Sequence, residues 1–257
     1  MLYMVSIILL ILGFGIIFRK SLFPFSRKKG AIMDDIDRML LLEKVVFYAH
    51  LPEEQKKEFE RRVQDFLANI RIRGVGTSVD RLDELYVGAS AIIPIFKFKH
   101  WIYRDLKEVL LYPNAFNQQF ETRGENRRIL GMVGKGSLSG KMILSKRALR
   151  MGFSNQTDKK NTAIHEFLHL IDDADGSIDG FPYALKDTPV SLPWFDLMNR
   201  KIKEIEHNKT DINRYGATNN AEFFAVAGEY FFERPELLKR KHPELFRLLD
   251  RWFCPSK

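Results

Sequence analysis

The amino-acid sequence predicts an α+β protein, mainly helical with a small, mostly antiparallel sheet, preceded by one N-terminal transmembrane helix. Three observations carry that expectation. Residues 1–18 form an apolar run without a charged side chain. Strand signals are confined to the stretch between residues 108 and 145, with helical periodicity on both sides of it. Strands and helices do not alternate regularly, which argues against a doubly wound sheet.

Composition bounds the function classes. The 257 residues suit one large domain or two small ones, and 45% hydrophobic with 29% charged residues excludes a disordered or collagen-like chain. The lone Cys254 excludes an intramolecular disulfide framework and a Cys-rich zinc site. The net charge of +8 is largely local. Arg19, Lys20, Arg27, Lys28 and Lys29 fall within the first thirty residues, which hold no acid, and without those five the chain has 36 basic against 33 acidic residues. No domain-wide basic field remains to suggest a nucleic-acid partner.

The elements follow in chain order. As a helix, residues 1–18 would span roughly 27 Å, close to the hydrocarbon thickness of a bilayer. No basic residue precedes the run and no small-residue cleavage site follows it, so an anchor is preferred over a signal peptide. The basic residues all follow the span, which by the positive-inside rule places the N-terminus outside and residues 19–257 in the cytoplasm. Residues 19–44 read as a basic juxtamembrane linker and lead-in, and 45–257 as the globular domain. Leu51-Pro52-Glu53-Glu54 begins a helix with the apolar stripe Phe59, Val63, Phe66, Leu67 and Ile70, ended by Gly74 and Gly76. Ser78 caps a second helix carrying Leu82, Leu85, Ala89, Ile92 and Ile93, stopped by Pro94. Strands are expected at 108–112, 128–133 and 141–145, the last two flanking a Gly/Ser-rich turn. That turn is not a phosphate loop, since Lys135 stands where the motif needs Gly and Met142 follows Lys141. Helices are expected at 161–172, 193–207, 221–233 and from Pro235 through Trp252.

The stretch Asn161-Thr-Ala-Ile-His165-Glu166-Phe167-Leu168-His169-Leu-Ile-Asp172 carries the chemistry. An i, i+4 spacing puts His165 and His169 on one helix face, where two imidazoles grip one zinc ion. Glu166 beside them is placed to take a proton from an activated water. A catalytic zinc takes three protein ligands and an open position. Downstream, Glu222 and Glu229 lie seven apart on nearly the same helix face, and spacing does not choose between them as third ligand.

These residues, with Asp175-Gly176, Tyr215-Gly-Ala-Thr-Asn-Asn-Ala-Glu222, Glu229-Tyr-Phe-Phe and Pro235-Glu-Leu-Leu, resemble the zinc peptidases related to Mlc titration factor A. Their catalytic motif is also similar to that of anthrax lethal factor. The resemblance runs from about residue 45 to 250 and implies a zincin-like fold and a zinc metallopeptidase of the gluzincin kind. It implies that His165, His169 and Glu222 hold Zn2+, that Glu166 is the general base, and that Tyr215 donates to the oxyanion. Glu229 then falls to a supporting or structural role. A peptide or protein substrate is implied. So is an alternative, a regulatory protein that sequesters a transcription factor at the membrane, because the namesake of the family binds a repressor. The membrane span is not part of the family pattern.

Three smaller readings complete the sequence. Lys141–Ser145 is a candidate edge strand for peptide substrate. The acidic run 172–180 fails both calcium-loop registers, with Ile178 and Ala184, or Lys186, where Gly and Glu are required. Asp172 either closes the turn after the helix or orients a ligand imidazole.

Overall fold

A computed structural model describes residues 33–98, 100–134, 136–155, 158–182 and 191–254. Helices α1 (Asp35–Lys44), α2 (Val46–Ala49) and α3 (Glu53–Asn69) lead into strand β1 (Arg71–Gly74). Helix α4 (Arg81–Ile92) connects β1 to β2 (Glu108–Tyr112), and β3 (Gly131–Val133) and β4 (Lys141–Ser145) follow. The remainder is helical: α5 (Lys146–Ser154), α6 (Thr162–Asp172), α7 (Ser191–Glu206), α8 (Asn220–Glu233), α9 (Pro235–Lys241) and α10 (Pro243–Phe253). The protein is therefore α+β and mainly helical, as expected.

The sheet differs from the expectation. Its order is β1-β2-β4-β3, with β1–β2 and β2–β4 parallel and β3–β4 antiparallel. The sheet is mixed rather than mostly antiparallel. The expected hairpin is present, pairing Gly131 with Leu144 and Val133 with Met142. What changes the balance is β1, whose sequence Arg-Ile-Arg-Gly is short, polar and largely exposed and so carries no apolar run. It is recruited by pairing with the buried β2, and α4 supplies the crossover that a parallel pair needs. Along β2 and β4, Val109, Leu111, Met142 and Leu144 face the main core, while Leu110 and Ile143 join a smaller cluster with Phe116. That division follows from the two-residue period of a strand.

The order also moves the candidate edge strand. β4 lies between β2 and β3 with both edges paired, so it has no free edge for a peptide; β3 is the outer strand on that side.

Residues 33–44 pack into the core rather than leading up to it. Asp34 caps α1 by accepting from the backbone N–H of Asp37 at 2.8 Å, Leu41 is fully buried, and Asp37 pairs with Arg81 of α4 at 2.6 Å. Residues 1–18, where the membrane helix is expected, lie outside the described residues. Among the described residues no helix is long and apolar enough to cross a membrane.

Local chemistry sets the other boundaries. The cap of α4 is Asp80, in a reciprocal box with Asp83, not Ser78. Pro243, which lacks an N–H, divides the expected last helix into α9 and α10. Ser145 ends β4 and caps α5, its hydroxyl accepting from Ala148 N.

Helix α6 sits at the centre. Its Phe167 meets Phe66 of α3 and Tyr103 at ring separations of 5.7 and 5.1 Å. On its other side α8 comes close because Gly228 lacks a side chain: a Cβ there would lie 2.5 Å from Leu168 Cδ1.

Candidate metal centre

Asn161 starts α6, its side chain accepting from Ile164 N at 3.1 Å. The following turns carry His165, Glu166 and His169, which are 7, 6 and 9% exposed. Asn219 starts α8 in the same way, accepting from Glu222 N at 2.9 Å. This places Glu222 in the first turn of α8, where the positive end of the helix favours a carboxylate.

The packing of α6 against α8 brings the three side chains together. His165 Nε2 lies 3.1 Å from His169 Nε2 and 3.0 Å from Glu222 Oε2, and His169 Nε2 lies 3.4 Å from that same oxygen. The sequence left Glu222 and Glu229 open as third ligand, and the geometry separates them. Glu229 Oε1 sits 2.7 Å from the opposite ring nitrogen, His165 Nδ1. A carboxylate only accepts, so it holds the hydrogen on Nδ1 and leaves the Nε2 lone pair facing His169 and Glu222. The other oxygen of Glu229 accepts from Asn161 N at 2.7 Å, fixing the carboxylate to the start of α6.

This cluster fits a cation. Two imidazole nitrogens and a carboxylate oxygen converge at distances near the roughly 3.3 Å edge of a tetrahedral set with bonds of about 2.0–2.1 Å. Three carboxyl groups, Glu166, Glu222 and Glu229, surround two imidazoles, which favours added positive charge. The electrostatics agree in direction. Burial opposes charge on His165, yet Glu229 and Glu222 pull its pKa well above the ordinary value. Burial pushes Glu222 up, but His165 and His169 outweigh it and hold the carboxyl at about 2.

Glu166 is raised by burial and drawn back in part by His165 and His169. It lies against β3: a Cβ on Gly131 would come within 2.6 Å of Glu166 Cγ and Oε1. Tyr215 stands on a 3-10 turn (Arg214–Ala217) that begins where Asn213 accepts from Tyr215 N. Its ring centroid is 5.9 Å from that of His165, it is 53% exposed, and its phenol is near enough to Glu222 to feel that carboxylate. Burial of the phenol and then the Glu222 carboxylate push its pKa to about 12, so the hydroxyl keeps its proton at neutral pH.

Asp172 makes no hydrogen bond to either imidazole. Its Oδ2 accepts from Gly180 N at 2.8 Å, closing the turn after α6, and its Oδ1 has no partner among the described residues. Burial pushes its pKa up to about 7. That turn also places α8, because Gly180, at φ +77°, packs against Asn220, where a Cβ would be 2.4 Å from the carbonyl oxygen. Gly131 and Asn161 were not singled out by sequence. Asn161 had a usable signal as an N-cap residue ahead of an apolar helix, whereas nothing local marks Gly131.

A family model described as glucose-regulated metallo-peptidase M90 matches residues 25–254. The chain belongs to that family. Relatives agree with the M90 assignment. An uncharacterized protein of Synechocystis is 28% identical over 227 residues, covering 84% of this chain and 82% of its own length. Mlc titration factor A of Escherichia coli is 28% identical over 219 residues, covering 79% of this chain and 80% of the relative. Its counterpart in Pectobacterium atrosepticum is 28% identical over 163 residues, covering 57% and 58%. The resemblance drawn from the motifs is thus shown for the family, and membership in a metallo-peptidase family implies a metal.

Proposed function

We propose that this M90 protein is a zinc-dependent peptidase whose ion is held by His165, His169 and Glu222. The observation that carries the reading is the convergence of His165 Nε2, His169 Nε2 and Glu222 Oε2, with Glu229 bracing the far side of His165. Two nitrogens and one oxygen suit zinc, and three protein ligands leave the open position of a catalytic site. Zinc bound there supplies a Lewis acid that polarises a peptide carbonyl and acidifies water.

The chain's own residues do the rest. Glu166 accepts the proton from the attacking water and returns it to the leaving amine; burial raises its proton affinity toward the working range. Tyr215, protonated at neutral pH and half exposed, turns from Glu222 to donate to the carbonyl oxygen as negative charge develops. Glu229 keeps His165 in the ligating tautomer. The outer strand β3, whose Gly131 lies against Glu166, has no second strand neighbour among the described residues, so its outer edge is placed to pair with an extended substrate. Glu166→Gln is expected to keep its zinc, by elemental analysis, and to lose peptide hydrolysis by about 10²–10⁴-fold. Hydrolysis at the wild-type rate would remove Glu166 from the mechanism.

The uncharged span at 1–18, followed by Arg19, Lys20, Arg27, Lys28 and Lys29, supports a single-pass anchor with the catalytic domain on the cytoplasmic side. The full chain should then stay in the membrane fraction through alkaline carbonate extraction, and release into the supernatant would refute the anchor. A second reading, binding of a transcriptional regulator, rests on the name of the Mlc titration factor A relatives. A regulator still bound by Glu166→Gln, with its control intact, would favour binding over hydrolysis.

A further inference from the structure

A cavity of about 480 Å³ opens beside the proposed centre, between the end of β4, α5 and the start of α6. Thr162, the first residue of α6, lies on its wall, four residues and so about 6 Å along the axis from Glu166. Leu130, also on the wall, directly precedes Gly131, the residue pressed against Glu166, and its carbonyl accepts from Ser145 N. The cavity thus adjoins the residue before β3 and the first turn of α6, within the reach of one to two residues of extended peptide, about 3.3 Å each, from Glu166.

Its lining has two parts. Ala148 is buried, while Leu130 and Met151, 45 and 50% exposed, give the wall an apolar surface open to solvent. Around them stand Arg127, Arg147 and Lys160, against one acid, Asp158, which accepts from Lys160 N. Arg127 donates to the Thr122 carbonyl. Arg147 and Lys160 have no ion-pair partner among the described residues, in contrast to Lys146 and Arg150 on the same helix as Arg147, which both pair with Asp83.

We infer that this cavity is a substrate subsite selecting an acidic side chain, glutamate first, within two residues of the scissile bond. The apolar wall takes the methylenes and Arg147 and Lys160 take the carboxylate. The inference rests on the peptidase reading and deepens it by naming the substrate class.

The test uses the zinc-loaded full chain and fluorescence-quenched peptides of neutral sequence. One position at a time, on either side of the cleaved bond, is set to Glu, Gln or Lys. At one position Glu should exceed Gln in kcat/KM by about tenfold, the size expected of one charge-assisted contact, with Lys below Gln. In Arg147→Glu/Lys160→Glu the order of Glu and Lys should invert. Binding of the same peptides to Glu166→Gln, read by fluorescence anisotropy, should show the same order without turnover. If neutral peptides are cleaved but Glu and Gln differ by less than about twofold everywhere, or the double variant keeps the wild-type order, the subsite is wrong and the peptidase reading stands. If no peptide is cleaved, the peptidase reading fails, and equal binding of Glu and Gln peptides would overturn the subsite as well.

Discussion

His165 does three things with one ring: Nδ1 donates to Glu229, Nε2 faces Glu222, and the same Nε2 faces His169. The spacing of the two histidines was legible in the residues themselves, because i, i+4 on a helix is local geometry. Spacing did not choose Glu222 over Glu229, which the family resemblance did, since both sit on one face of α8 and only its docking against α6 sends them to opposite ring nitrogens. Gly131 belongs to this scale too. A methyl there would occupy the place of the Glu166 side chain, which burial leaves little room to move. Gly131→Ala should keep metal and circular dichroism while lowering hydrolysis by about 10²-fold, the cost of misplacing a catalytic group by around an ångström. Unchanged kcat/KM would show that Glu166 has another position to occupy.

At the scale of elements, the chemistry of helix starts is local and strand pairing is not, although the cap expected at Ser78 is made by Asp80. Asn161, Asp80, Asn219 and Asp34 each accept from the backbone N–H three residues on, an interaction between near neighbours in the chain. Strand β1 has no such signature, being stabilised by the parallel register it shares with β2. The approach of α6 to α8 is likewise a property of the pair. Gly228→Ala would gain helix propensity of about 1 kcal/mol, yet its methyl would fall 2.5 Å from a fully buried Leu168. Overpacking of about 1–3 kcal/mol should prevail, lowering the urea midpoint and loosening metal binding together. A stability increase would show that the helices separate freely.

Across the whole molecule, Asp211 ties the C-terminal helices together. Its carboxylate accepts from Tyr230 of α8 at 2.9 Å and from Lys241 of α9 at 3.1 Å, and His242 Nε2 lies at 2.8 Å. Lys159, on the approach to α6, reaches both its carboxylate and its backbone carbonyl. Burial raises the pKa, but the hydrogen bonds from His242, Tyr230, Lys241 and Lys159 outweigh it and hold the group well below the ordinary carboxylate value. A depressed folded pKa contributes stability that is complete above the unfolded value, near 4, and is lost as pH falls toward the folded one. Asp211→Asn should therefore lower stability by about 1–2 kcal/mol at pH 7, discounted for partial exposure, with the difference from wild type shrinking below about pH 4. Thermal melts from pH 3 to 7 would measure it, and a pH-independent difference would assign the loss to packing instead.

Read from residues alone, the chain declares a histidine pair with its glutamate, the principal helices and a central cluster of strands, because each depends on neighbours a few positions apart. The mixed sheet, the outer position of β3, the pairing of Glu222 and Glu229 with opposite nitrogens of His165, and the space that Gly131 leaves for Glu166 arise from contacts between distant segments. They follow from how α6, α8 and the sheet pack, and packing is a property of the assembled core rather than of any local pattern.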